Sequence, residues 1–234
     1  MPKLVLPRLC LALSLAAALA ACSDAGLPTD AAPRTNTLAP VRHPILFVHG
    51  FNSTGAVWDN MIARFQADGW TGAELVKWSY NTSQSNAATA NLVKAKVDSI
   101  LAATGAAKVD IVTHSMGGLS SRYYARNLGG DARIDAWVSL GGPNHGTTWA
   151  YGCFTTSCVE MRPNSTYLKN LNATDETPGA PRYGTWWSAC DTVIEPDNST
   201  PLVGATNTQT ACIGHSAFLT DLTTYQQVRA FVHQ

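Results

Sequence analysis

Residues 109–119 read Val-Asp-Ile-Val-Thr-His-Ser-Met-Gly-Gly-Leu. An apolar run of strand length meets a serine flanked by small residues. A segment with helical spacing follows, carried by Leu119 and Tyr123 and stopped by Gly129. So abrupt a change of period forces a tight strand-to-helix turn with Ser115 at its apex. There the backbone is strained and the serine hydroxyl is exposed. Gly117 and Gly118 suit this turn, because a Cβ would collide with the strand that the helix packs on. The usual pattern is Gly-x-Ser-x-Gly. Here Thr113 takes the first glycine's place, a position that needs a small residue rather than a positive φ. An ordinary strand–helix loop with a surface serine could carry the same letters, so the weight of the motif comes from the rest of the chain.

The chain alternates strand and helix patterns. Residues 43–49 form a buried-type apolar strand, followed by a small polar loop at 50–55. Val57, Met61 and Phe65 recur at i, i+4 and i+8, which predicts a helix over 56–68 with Gly69 after its end. Residues 74–79 read as a strand. Asn86 can cap a long helix with Val93, Val97, Ile100 and Leu101 on one face, ending at Gly105. Strands at 108–113 and 134–141 flank a helix at 116–128. Residues 142–182 are an irregular excursion, with one helical candidate at Tyr167, Leu168 and Leu171, expected to cross the rim and form part of a groove. Residues 183–189 and 209–213 read as the last strands. Thr220 or Asp221 can cap a closing helix with Leu222, Tyr225, Val228 and Val232 inward. Such alternation predicts an α/β fold, a mostly parallel central sheet with helices on both faces. Ligands of these sheets bind outside the strands' carboxyl ends. The loops at 49–51, 114–116 and 142–145 all fall there.

The amino-terminal residues 1–22 read as a signal peptide: Lys3 and Arg8, then an apolar stretch from Leu9 to Ala21 too short for a membrane span. Leu19-Ala20-Ala21-Cys22 resembles a lipobox, which would lipidate Cys22 and attach the chain to a membrane. Ala18-Leu19-Ala20 would also serve for ordinary cleavage and free secretion. Either reading exports the chain, as a secreted protein or an outer-surface lipoprotein. Residues 23–40, rich in Ala, Pro, Thr and Asp, read as a flexible tether, and 41–234 as one globular domain. Sixteen basic and sixteen acidic residues cancel, so nothing suggests nucleic acid, and a monomer is expected. Beyond Cys10 and Cys22, four cysteines remain and allow three connectivities. The expected one pairs Cys153 with Cys158 as a local staple and Cys190 with Cys212 as a longer bridge. The latter would close a loop of about 20 residues, worth roughly 3 kcal/mol.

A serine nucleophile needs a base to take its proton and a third group to orient that base. His215 lies in a loop after the last expected strand and before the closing helix, so it is the candidate base. His145 precedes nearly every late acid. Asp191 directly follows a strand, and a Cys190–Cys212 bridge would tie its loop to that of His215, so it is the candidate acid. Glu195 and Asp197 in the same loop, and Asp175 in the excursion, are alternatives. Two backbone amides are needed for the oxyanion: Met116 at the start of the helix, and Phe51 in the loop after the first strand. His114 and His145 are expected to pack or to fix loops. Phe51, Trp149, Tyr151, Phe154, Trp186 and Trp187 could line an apolar groove or serve as core.

The segments 44–51, 114–118, 140–147, 191–196 and 214–215 together resemble the small secreted bacterial lipases of class 2, over roughly residues 41–233. The resemblance implies a compact α/β-hydrolase that cleaves carboxylic esters, typically acylglycerols, without a cofactor, and no metal ligand is singled out in the sequence. It also implies Ser115 as nucleophile, Asp191 as acid, His215 as base, and the Phe51 and Met116 amides as oxyanion hole. A polyester depolymerase, a feruloyl-type esterase or an acyltransferase would carry the same triad. A non-enzymatic surface lipoprotein is the reading that the intact Ser, Asp and His oppose.

Overall fold

The computed structural model describes residues 42–234. The readings of 1–22, 23–40 and Cys22 lie outside the described residues. Among the described residues, six strands form one parallel sheet in the order β2-β1-β3-β4-β5-β6. They are β1 (Ile45–Val48), β2 (Leu75–Lys77), β3 (Val109–His114), β4 (Ile134–Leu140), β5 (Arg182–Trp187) and β6 (Thr206–Gln209). The chain runs from β1 outward to β2, then returns across to β3. The carboxyl ends of β1 and β3 therefore border the point where the strand order reverses, the crevice in which such sheets hold their ligands.

Every residue of β1 and of β3 is buried, as expected of strands covered on both faces. Alternation along β1 divides the core. Ile45 and Phe47 join Val112 and Val138 under α1 (Asp59–Ala67) and α6 (Leu222–Val232), whose Met61, Phe65, Tyr225, Val228 and Val232 point inward. Leu46 and Val48 join Ile111 and Trp137 under α2 (Asn86–Thr104) and α3 (Gly117–Asn127), through Val93, Val97 and Tyr124. Both expected disulfides are formed.

Several expectations are corrected in detail. The first helix begins as a 3-10 turn at Gly55–Trp58. Ser85 rather than Asn86 caps α2, its Oγ accepting the Ala88 amide, while Asn86 is buried against Glu160. Leu222 is 54% exposed, because it opens α6 beside the true cap, Asp221. The last strand lies earlier, at Thr206–Gln209 rather than 209–213. It is a polar edge strand, paired on one side only with β5, so it carries no apolar signature. The chain around 210–213 is instead held by hydrogen bonds to Trp187 and Ser188 and by the Cys190–Cys212 bridge. The excursion contains two short helices, α4 (Thr156–Met161), which periodicity missed, and α5 (Thr166–Leu171). Cys158, Met161, Leu168 and Leu171 pack there against Met116 and Leu119.

Candidate active site

Ser115 follows β3 with φ +55°, a left-handed conformation that non-glycine residues rarely adopt. It is held there from both sides: the Ser115 amide donates to Leu140 O (2.9 Å) and its carbonyl accepts the Gly118 amide (3.0 Å). The turn is possible because α3 approaches β1 very closely. A Cβ on Gly117 would stand 2.5 Å from Val48 O, and one on Gly50 would stand 2.8 Å from Ser115 Cβ. Thr113 is accommodated because its buried hydroxyl donates to Val138 O on the adjacent strand (2.7 Å).

His215 opens a 3-10 turn after the bridged loop, and its Nδ1 lies 2.8 Å from Asp191 Oδ2. A carboxylate can only accept, so Nδ1 carries the proton and Nε2 is left with its lone pair. Asp191 Oδ1 accepts the amides of Val193 (2.9 Å) and Ile194 (3.0 Å), which fixes the carboxylate. Burial by itself would raise the Asp191 carboxyl. The hydrogen bond and charge of His215, with the two amides, outweigh it and hold the group below the ordinary carboxylate range. The other acids are not brought to His215: Asp197 and Asp175 accept amides within their own turns, and Glu195 is exposed.

Ser115 and His215 line one cavity of about 290 Å³, walled by Phe51, Val57, Trp149, Met161, Ile194 and Leu219. Asn52, Ser53, His114 and Ser216 add polar groups to the same lining. Phe51 follows β1 beside Gly50, and Met116 precedes the first turn of α3, where amides lack an intrahelical partner. The loop after β1 is braced by His49, whose Nδ1–H donates to Gly50 O (2.9 Å) and whose ring stacks on Tyr80 at 4.2 Å. Of the aromatic candidates, Phe51 and Trp149 line the cavity. Trp186 belongs to the core against Phe231, and Tyr151 and Phe154 are exposed outside it.

The structure also gives Thr147 a place that sequence reasoning left blank. Its hydroxyl donates to Val193 O (2.5 Å) and accepts the amides of Trp149 and Glu195 (3.2 Å each), locking the backbone just after Asp191. The motif at 142–147 contained the signal, since it ends on this threonine at the strand rim. His145 ties the same loops, with Ser199 O at Nδ1 (3.0 Å) and Glu176 Oε1 at Nε2 (2.6 Å). His114 bonds to a distant partner, the carbonyl of His215 (3.0 Å).

A parallel sheet with this strand order, a strained serine turn after its third strand and an Asp–His pair on the same rim is the layout of an α/β-hydrolase. The mature lipase BlEst2 of Bacillus licheniformis superposes with a TM-score of 0.72 at 18% identity, covering 83% of this chain and 94% of that one. The chain belongs to the lipase (class 2) family, whose sequence model matches residues 42–232. A triacylglycerol lipase of Burkholderia plantarii is 29% identical over 135 residues, 54% of this chain and 37% of its own. One of Pseudarthrobacter phenanthrenivorans is 28% identical over 121 residues, 49% and 37% of the two chains. The match thus spans little more than a third of these relatives' length.

Proposed function

We propose that the protein is a serine carboxylic ester hydrolase acting through an acyl-enzyme, with acylglycerols as its substrate class. Membership in a lipase family supports ester hydrolysis in general, and the named relatives support the triacylglycerol preference. The single observation that carries the mechanism is the Asp191–His215 hydrogen bond at 2.8 Å, on a cavity that also receives the strained Ser115. In this reading His215 Nε2 takes the Ser115 proton as Oγ attacks the ester carbonyl. The amides of Phe51 and Met116 receive the oxyanion, where one donor is worth on the order of 10²–10³ in turnover. His215 then protonates the leaving alcohol. Water, deprotonated by the same imidazole, releases the acid and restores Ser115.

The two disulfides are compatible with an exported protein. Processing of 1–22, a tether at 23–40 ahead of the catalytic region, lipidation at Cys22 and a monomeric state belong to the same proposal. Rates on glycerol and p-nitrophenyl esters of increasing chain length, below and above their solubility limits, test it alongside polyester films. The expected result is hydrolysis that extends to emulsified triacylglycerols. Turnover confined to films or to soluble short esters would move the assignment to a depolymerase or a non-lipolytic esterase.

A further inference from the structure

His114 sits between two parts of the site without a role in the mechanism above. It ends β3 immediately before Ser115, is 7% exposed, and lines the same cavity. Its Nε2 lies 3.0 Å from the carbonyl oxygen of His215, a residue 101 positions later. That oxygen can only accept, so Nε2 carries the ring's proton. The two imidazoles also lie against each other, with centroids 4.5 Å apart. Burial, and then the neighbouring His215, hold the His114 ring down to about 3, so it remains uncharged and adds no repulsion to an imidazolium on His215.

His215 is thereby gripped at two places from two different elements. Asp191 holds its ring from the loop after β5, and His114 holds its main chain from the end of β3. The second grip runs through the residue adjacent to Ser115, so it references the base directly to the nucleophile. The Asp191 contact reaches His215 from the end of β5, two strands away from β3 in the sheet. We propose that His114 is a positioning residue for His215, fixing the distance between base and nucleophile through its Nε2–H. This rests on the assignment of Ser115 and His215 as nucleophile and base.

The test uses two substitutions of different character. His114→Gln places an amide N–H near the position of Nε2, while His114→Phe keeps a flat ring against His215 and removes the donor. Acylation and deacylation rates on a soluble p-nitrophenyl ester, measured by stopped flow, should both fall in the Phe variant. A misplacement approaching 1 Å can cost about 100-fold, so a loss of about 10- to 100-fold is expected, with KM changed less than about 2-fold. The Gln variant should recover most of the rate. Unaltered rates in His114→Phe, or equal losses in both variants at unchanged melting temperature, would overturn the proposal. A loss in only one of the two half-reactions would also overturn it, because His215 serves both. Failure of the unsubstituted protein to form an acyl-enzyme would instead strike the underlying assignment.

Discussion

Ser115 keeps a φ of +55° because the residues around it leave no alternative, and small changes nearby should register in the rate. Alanine at Gly50 would bring a methyl 2.8 Å from Ser115 Cβ and 3.3 Å from His114 O. We expect Gly50→Ala to lower kcat by at least about 10-fold, given how steeply rate falls with misplacement, and to lower stability by about 1–3 kcal/mol through overpacking. Full activity in that variant would mean that the loop after β1 has slack which the close approach denies. Asp191→Asn should cost on the order of 10⁴ in kcat by favouring the wrong His215 tautomer. A variant within about 10-fold of the parent would remove Asp191 from the role of acid, on the same scale of effects.

At the scale of elements, the rim loops are braced by cross-links from outside the sheet. Cys190 and Cys212, separated by 22 positions, join the loops of Asp191 and His215. Replacing both by serine should lower stability by about 3 kcal/mol on the loop-entropy model and reduce kcat on a soluble ester. Replacing Cys153 and Cys158, whose shorter staple ties neither the Asp191 loop nor the His215 loop, should reduce that kcat less. Equal effects of the two pairs would contradict a special tie between acid and base. These elements also separate what could be read from the sequence and what could not. β1, β3, β4 and the helices α1, α2 and α3 announce themselves because burial on one or both faces imposes an apolar period. The serine turn and the Asp191 and His215 loops follow from motif order, and the two disulfides are the expected choice, a short local staple and a longer bridge, among three connectivities. β6 does not, since an edge strand of Thr-Asn-Thr-Gln buries no apolar face. α4 does not either: in six residues it is fixed by the Thr155 cap and by the Cys153–Cys158 staple rather than by periodicity. Thr147 and His114 hydrogen-bond to residues 46 and 101 positions away, and spacing along the chain does not reveal such partners.

Across the whole molecule, the two ends of the sheet are built differently. The carboxyl ends carry the cavity, and the amino ends carry a compact charged group. Asp135 pairs there with Arg182 (2.8 Å), Lys108 (3.6 Å) and His43 (3.7 Å). Asp110 lies beside them, 1% exposed, with Oδ1 accepting the Ala136 amide (3.0 Å). Burial, with the charge of Asp135 added, raises the Asp110 carboxyl well above its unfolded value of 3.8. The folded chain therefore holds this proton more tightly than the unfolded one. The stability it contributes is complete below that unfolded value and is lost as pH rises through the native one. Asn can still accept the Ala136 amide, so Asp110→Asn should raise the melting temperature at pH 8 by about 2–4 °C per kcal/mol gained, with little change at pH 4. A loss of stability at pH 8 would overturn this reading of Asp110. The opposite end of the sheet carries the central claim, that Ser115 is the nucleophile activated by His215. Its most direct measurement is peptide mapping after reaction with a fluorophosphonate. The account predicts one adduct per chain, on Ser115, abolished by Ser115→Ala and strongly slowed by His215→Ala. An ester-cleaving preparation that takes no adduct, or takes it on another residue, would contradict it.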